Sequence, residues 1–194
     1  MQTTTIVPGL VVDNKLFEAT AHGLATHVPE HEPLAWSTFT DSAGWTLVPD
    51  ERGDGYKAEL VLLNTMARTI KINLWFLADR RGGQQSQPYS HPWPFTAHIL
   101  LGGYNEDRYT PNGASVLAQR GVEHREGDVN EVPRRIYHEA TDIHDPSRTL
   151  TLMMCGPGQR GTWGYLDTST GQHIPVQPDP EFTSRLKALN PHQC

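Results

Sequence analysis

Short segments in which apolar and polar residues alternate make up most of the chain after about residue 55. This period of two is typical of β-strands with one buried face. Gly, Pro, Asn and Asp separate the segments, as they do at turns. The pattern predicts strands at 56–63 and 69–77 and in the segments FTAHILL, YNEDRYT, SVLAQRG, VPRRIYHEATDIH, TLTLMMCG and TWGYL. Such a chain is mainly β and forms an antiparallel sandwich or barrel.

Helical spacing is confined to the two ends of the chain. Asp13 is placed to cap a helix that runs to about residue 25, and the tail at 180–189 carries Phe182, Leu186 and Leu189 on one side. The segments WSTF and WTLV flank turn residues at 41–44, which predicts a hairpin at 36–49. A polar loop that contains glycine is expected at 81–88.

The chain shows no internal repeat and no interdomain linker over its 194 residues. We therefore predict one domain at 1–194, with an N-terminal extension at 1–60, a barrel core at about 61–177 and a tail at 178–194. The N-terminal extension could serve to pair two copies of the chain, which leaves a homodimer open.

Charge and composition limit the partners. The 16 Lys and Arg residues against 22 Asp and Glu give a formal charge of −6, which disfavours nucleic acid. No stretch approaches the ~20 apolar residues that span a bilayer, and the first residues lack the basic start of a signal peptide, so neither a membrane partner nor secretion is expected. With only Cys155 and Cys194, a disulfide scaffold is excluded and a soluble, cytoplasmic protein is expected.

The 10 histidines are the remaining chemical feature of the composition. Tyr89 and His91 are two residues apart, so they share one face of a strand, and Phe95 has the same parity. Imidazoles that project inward from different strands can converge on one metal ion, and His138 would supply the second strand's ligand. His98 has the opposite parity and is expected to pack outward against a terminal helix.

Two segments carry the spacing of a known pair of motifs. The first reads Gly83, Tyr89, His91, Phe95 and Gly102, and the second reads Gly127, Pro133, Arg135, His138 and Asp142. They resemble the two motifs of the cupin family. The wording HPWPF, ILLGGYNE and TLMMCGPGQRGTWGY is also similar to a group of bacterial and phage cupin-like proteins. The resemblance implies a jelly-roll barrel, the double-stranded β-helix of cupins, with a small-molecule substrate inside it.

The match to the cupin metal motif is degenerate. Tyr89 and Phe95 occupy the positions at which the family usually has a histidine and a glutamate ligand. Asp142 and His144 share the parity of His138 and would face inward if that strand continues without a bulge. The candidate metal ligands are therefore His91, His138 and His144, since a three-histidine iron site would resemble that of thiol dioxygenases. Fe(II) is the expected metal, and Asp142 or Glu106 could supply a carboxylate.

The other candidate residues are assigned by chemistry. Tyr89, His91, His138 and Glu106 are candidate catalytic residues, and Tyr104, Asn105 and Glu106 are candidates for orienting the ligands from behind. Side chains that could contact a substrate are Trp93, Phe95, Tyr104, Arg135 and Trp163, and Arg134 and Arg160 could bind a carboxylate or phosphate in the same way. Each also has an ordinary interpretation, as a core aromatic, a loop histidine or a solvated arginine.

Three functions stay open. The first is an Fe(II)-dependent, dioxygenase-like oxidoreductase that acts on a small polar metabolite. The second is a metal-free isomerase, epimerase or dehydratase in which histidine and tyrosine act as acid and base. The third is a noncatalytic module that binds a sugar or another small molecule. Tyr89 at a ligand position favours the second, and metal analysis of the purified protein separates the first from the others.

Overall fold

Most of the secondary-structure elements are strands, and few helices lie between them. The computed structural model describes residues 2–79, 87–113, 115–159, 163–177 and 179–193. In chain order the elements are β1 (Thr3–Val7), β2 (Leu10–Asp13), α1 (Asn14–His27), α2 (Trp36–Phe39), β3 (Trp45–Pro49), β4 (Gly55–Asn64), β5 (Thr69–Trp75), β6 (Phe95–Leu101), β7 (Gly103–Asn112), β8 (Ser115–Arg125), β9 (Val129–Val132), β10 (Tyr137–Ile143), β11 (Thr149–Cys155), β12 (Gly164–Leu166), β13 (His173–Pro175) and α3 (Phe182–Leu189).

Two antiparallel sheets face each other. The larger has six strands in the order β3-β4-β5-β11-β6-β9, and the smaller has three in the order β10-β7-β8. Tyr89 extends the smaller sheet, because it forms β-bridges with His138 on one side and Tyr165 on the other. The prediction of a mainly β, antiparallel fold is confirmed. Within the described ranges the ladders form separate sheets, and they do not join into one closed barrel.

The outer face of the six-stranded sheet carries the main hydrophobic core. Helix α1 lies against this face and begins where Asp13 accepts a hydrogen bond from the backbone N–H of Leu16 at 3.0 Å. Leu16, Thr20 and Leu24, four residues apart, are its buried side. The largest fully buried apolar residues of this core are Leu10, Leu16, Phe39, Trp45, Leu60, Ile70, Ile72, Leu74, Leu150 and Leu152. The predicted N-terminal helix is confirmed, and it is an integral part of the core.

The inner face of the same sheet is far more polar. In the strand register Glu59 lies opposite Asn73, and Asn73 lies opposite Thr151. Because successive side chains of a strand point to opposite faces, these residues alternate with the core residues of the outer face. The polar residues of the inner face point toward the three-stranded sheet. Ile99 and Tyr104 form part of a smaller apolar cluster between the two sheets.

Two predictions about local structure are wrong. The segment WSTF is the short helix α2, in place of the first strand of a hairpin, and a 3-10 turn at Ser42–Gly44 follows it. The indole N–H of Trp45 donates to the carbonyl of Phe39 at 2.7 Å and closes this compact turn. The segment VPRRIYHEATDIH is not one strand: it holds the last residue of β9, a turn and β10, because the chain turns after Val132 and the Ile136 N–H bonds back to the Pro133 carbonyl at 3.0 Å.

The remaining predictions for local structure are confirmed or lie outside the described residues. Helix α3 forms within the predicted 180–189 segment. The hairpin of β1 and β2 was not predicted. Most of the predicted loop at 81–88, and with it Gly83, lies outside the described residues, as do Arg160 and Cys194. Among the helices that the structure describes, no stretch is both long and apolar enough to cross a membrane.

Candidate functional site

A small cavity of about 40 Å³ lies between the two sheets. Its apolar wall is formed by Trp75, Phe95, Ala97 and Met153. Its polar wall is formed by Lys57, Tyr89, His91, Tyr104, His138 and Thr151. By the same measure one water molecule needs ~10–15 Å³, so the cavity suits a few waters or a small organic molecule.

His91 and His138 meet at this cavity, as their spacing predicts. Their Nε2 atoms are 3.0 Å apart, within hydrogen-bond distance. His138 lies on β10 and is buried, whereas His91 lies in the segment that precedes β6 and is half-buried. Arg134 fastens that segment, because its guanidinium donates to the carbonyls of Pro92 at 3.2 Å and Pro157 at 2.6 Å. Arg134 therefore binds backbone.

Glu106 on β7 lies behind His138 and is fully buried. Its Oε1 accepts a hydrogen bond from His138 Nδ1 at 2.5 Å. Its Oε2 accepts from His124 Nε2 at 2.9 Å and from Arg108 Nε at 2.6 Å. Burial disfavours the charged carboxylate, but the hydrogen bonds from His124 and His138 outweigh it and hold the pKa of Glu106 well below its usual range. Glu106 is therefore an ionised acceptor that orients His138 from behind.

Tyr89 stands beside the histidine pair. Its backbone N–H donates to the His138 carbonyl at 3.1 Å, and its ring centroid is 5.1 Å from that of His91. Its hydroxyl donates to Asp79 Oδ2 at 2.5 Å, and Asp79 is itself buried. The phenol proton is thus directed toward a carboxylate.

A second charged group lies on the six-stranded sheet. Lys57 Nζ is 2.9 Å and Lys71 Nζ is 2.8 Å from the same oxygen of Glu59, Oε1. Burial lowers the pKa of Lys57, but attraction to Glu59 outweighs it, so the pKa is raised above its ordinary value. Burial likewise opposes ionisation of Glu59, yet the two lysines lower the pKa of its carboxyl to about 2. All three groups are therefore charged, and of these only Lys57 lines the cavity.

His144 does not reach the histidine pair. A β-bulge between Ala140 and Asp142 shifts the register of β10 against β7 by one residue. The side chains beyond the bulge therefore point to the opposite face from the one that strand parity predicts. Asp142 and His144 are consequently exposed, and His144 Nε2 lies 3.1 Å from the side-chain oxygen of Asn105. The expectation that His144 is a third ligand is corrected by this bulge, and Asn105 does not stand behind the pair.

The predicted substrate-contacting residues divide into two groups. Phe95 and Tyr104 line the cavity. Arg135 is exposed in the turn before β10, and Trp163 is 42% exposed, so neither lines it. Trp93 is half-buried and packs on His91 with ring centroids 6.0 Å apart, outside the cavity wall. As predicted, His98 faces outward and stacks on His27 of α1 with ring centroids 3.7 Å apart.

The donor set fits an iron site poorly. Two metal–nitrogen bonds of ~2.1 Å at roughly a right angle span about 3.0 Å, which matches the Nε2 separation of His91 and His138. However, in the part of the chain that the structure describes, no three His, Cys, Asp or Glu side chains are grouped so that they could hold a metal. Iron oxygenases use three protein ligands on one face, and only two are assembled here.

Sequence reasoning missed the charged residues of the inner face. Lys57 and Glu59 alternate with apolar residues on β4, a pattern that ordinarily marks a solvated strand face. Asp79 lies outside the motifs, and His124 lies on β8, a strand whose other side chains are mostly exposed. The one available signal was that the segment TLTLMMCG is largely apolar, as a strand buried on both faces would be, although its neighbours β4 and β5 carry lysines and an asparagine.

No protein-family model and no curated protein matches the chain. Among solved structures, it is similar to an RmlC-like cupin from Shewanella frigidimarina at 14% identity over 59% of this chain and 86% of that one, with a TM-score of 0.35. KdgF from Halomonas sp. matches at 11% identity over 55% and 84%, with a TM-score of 0.36. Oxalate decarboxylase from Bacillus subtilis matches at 10% identity over 57% and 28%, with a TM-score of 0.40. The solved structures to which the chain is similar thus include an RmlC-like cupin.

Proposed function

We propose that this protein is a metal-free acid–base enzyme that moves protons on a small polar molecule in its cavity, in an isomerisation, epimerisation or dehydration. The observation that supports this proposal is the hydrogen-bonded chain Glu106–His138–His91 at the cavity wall. A carboxylate, an imidazole and a second imidazole in series hold protons at defined atoms, which is what general acid–base catalysis requires.

The hydrogen-bonded series Glu106–His138–His91 fixes which nitrogen of His138 carries the proton. The ionised Glu106 can only accept a hydrogen bond, so the proton between them lies on His138 Nδ1. The Nε2 atom of neutral His138 then carries a lone pair, which faces His91 Nε2 at 3.0 Å at the cavity wall. Imidazole is the side chain most often used as a general base in enzymes. His138 is therefore the base of the proposed reaction, and His91 is the group that shares and returns the proton.

Tyr89 is a positioning residue in this proposal. Its hydroxyl donates to Asp79, and its backbone forms a bridge with His138, so it holds the strand that carries the base. The acid–base pair is thus two histidines, which replaces the histidine–tyrosine pair expected from the sequence.

Deuterium exchange tests the reaction. Wild-type protein in D2O is incubated with small hydroxy acids, oxo acids and aldoses, and deuterium in the carbon-bound positions is followed by NMR. We expect exchange into at least one compound, and we expect His138→Gln and His91→Gln to slow it by about 100-fold, the usual contribution of a general base. His144→Gln is the matched control, because His144 is exposed and outside the cavity, and it should exchange at the wild-type rate. No exchange in folded wild type, or equal exchange in His138→Gln, contradicts the proposal.

Metal analysis tests the alternative with Fe(II). The expected iron oxygenase would hold its metal at His91 and His138, which supply two of the three ligands required. We expect protein purified without chelator to contain well under one equivalent of iron, and deuterium exchange to survive dialysis against EDTA. Stoichiometric iron that is lost in both His91→Ala and His138→Ala would contradict the metal-free mechanism and support the oxygenase.

A further inference from the structure

We propose that the ligand of the cavity is a small carboxylic acid bound as its monoanion, with the Lys57 ammonium as the partner of the ligand's carboxylate. This inference rests on the proposed use of the cavity as a ligand site and adds the charge and class of the ligand. It assigns a binding role to a residue that neither motif contains.

The ammonium group of Lys57 shares its nearest carboxylate with that of another lysine. Lys57 and Lys71 share a single oxygen of Glu59, so two ammonium groups have one carboxylate between them. The side chains of Lys57 and Lys71 are each 13% exposed, and that of Glu59 is 19% exposed, so water screens these charges little. Asp79 also attracts Lys57, less strongly than Glu59 does, and it accepts a hydrogen bond from Tyr89. Lys57 therefore shares its nearest carboxylate with a second ammonium group at the cavity wall.

Two aromatic rings lie close to the ammonium group of Lys57. Lys57 Nζ lies 5.1 Å from the ring centroid of Trp75 and 5.2 Å from that of Tyr56. Aromatic faces hold a cation in place without neutralising it. An ammonium group has three N–H donors, and Glu59 cannot satisfy all of them with one shared oxygen. Lys57 is thus ordered, charged and able to donate into the cavity.

The volume of the cavity limits the size of the ligand. A cavity of about 40 Å³ excludes long or branched anions, and the one ammonium group among its lining residues suits a single carboxylate. Lys57 projects from the six-stranded sheet and His138 from the facing sheet, and both line this cavity. A short acid whose carboxylate contacts Lys57 would therefore place its neighbouring carbon near the histidine pair, where a proton can be removed.

Isothermal titration with a matched pair of probes tests the inference. L-lactate and lactamide have nearly the same shape, and only lactate carries a charge. We expect wild-type protein at pH 7 to bind lactate at least 10-fold more tightly than lactamide, and Lys57→Met to lose this preference. Lys15→Met is the control, because it removes the same charge from an exposed position on α1, and it should keep the preference. Circular dichroism verifies that each variant is folded.

The outcomes separate this inference from the proposed reaction. His138→Gln should still prefer lactate, because the base is not needed for binding, whereas deuterium exchange should be lost. If acids bind but no variant alters exchange, the reaction is wrong and the carboxylate site stands. Equal binding of lactate and lactamide to wild type, an unchanged preference in Lys57→Met, or tighter binding of inorganic phosphate than of lactate would overturn the inference. Failure of wild type to bind lactate, pyruvate, acetate and malonate would overturn it as well.

Discussion

Replacing Glu106 with Gln is expected to destabilise the protein by about 3–5 kcal/mol, the usual cost of breaking a buried ion pair by removing one partner. Glu106 is fully buried and accepts hydrogen bonds from His138, His124 and Arg108. A glutamine offers one acceptor oxygen and turns an NH2 group toward donors that it cannot satisfy. Arg108 would then keep its charge without the carboxylate at 2.6 Å. Urea unfolding at pH 7, followed by tryptophan fluorescence, measures the loss.

The neighbouring strand supplies a matched control for this variant. Glu123 on β8 pairs with Arg125 at 2.7 Å, but the two side chains are 43% and 72% exposed. Exposed pairs of this kind contribute about 0–1 kcal/mol, so Glu123→Gln should change the free energy of unfolding only slightly. If Glu106→Gln and Glu123→Gln cost the same, Glu106 does not act as the buried counter-charge of Arg108.

Replacing Glu59 with Gln is expected to cost about as much, roughly 3–5 kcal/mol, because it removes the carboxylate that two buried ammonium groups share. Lys57→Met should cost far less, since Lys71 and Glu59 then form a balanced pair at 2.8 Å. The two variants alter the same cluster, so the comparison isolates the effect of charge balance from that of packing. Equal losses of stability in urea unfolding would show that Glu59 is not the counter-charge on which both lysines depend.

The comparison of wild type with Glu59→Gln also predicts how the stability of the fold depends on pH. The pKa of Glu59 is lowered from 4.5 in the unfolded chain to about 2 in the fold. A depressed carboxyl pKa contributes stability that is fully present above the unfolded value and is lost as the pH falls through the folded value. The difference in stability between wild type and Glu59→Gln should therefore be constant above about pH 5 and shrink as the pH falls from 4.5 toward 2. A difference that stays constant down to pH 2.5 would contradict the assignment.

Much of the fold follows from local patterns in the sequence. The Asp13 cap and a helical period predict α1, and strict alternation predicts β4, β5 and β6. The approach of His91 to His138 follows from strand parity and motif spacing. These features depend on near neighbours in the chain, so a sequence pattern suffices to predict them.

The rest depends on contacts that no local pattern contains. The bulge near Thr141 turns His144 outward, and nothing in the segment TDIH marks it. Alternating polar residues on β4 look like a solvated face, and only the packing of a second sheet shows that Lys57 and Glu59 point inward. The pairing of Asp79 with Tyr89 joins two segments that no motif relates.

The two faces of the six-stranded sheet have separate tasks, and this separation bears on how the protein can change. Packing of α1 and the N-terminal hairpin on the outer face buries Ile70, Ile72 and Leu74, whereas Lys71 and Asn73 on the same strand face inward. Stability of the sheet is thus supplied largely from one side, and the other side is free to carry groups that a hydrophobic core would reject. Substitutions on the inner face that leave the buried ion pairs intact can therefore alter which molecule is accepted while the outer face preserves the fold, which gives this architecture room to acquire new chemistry.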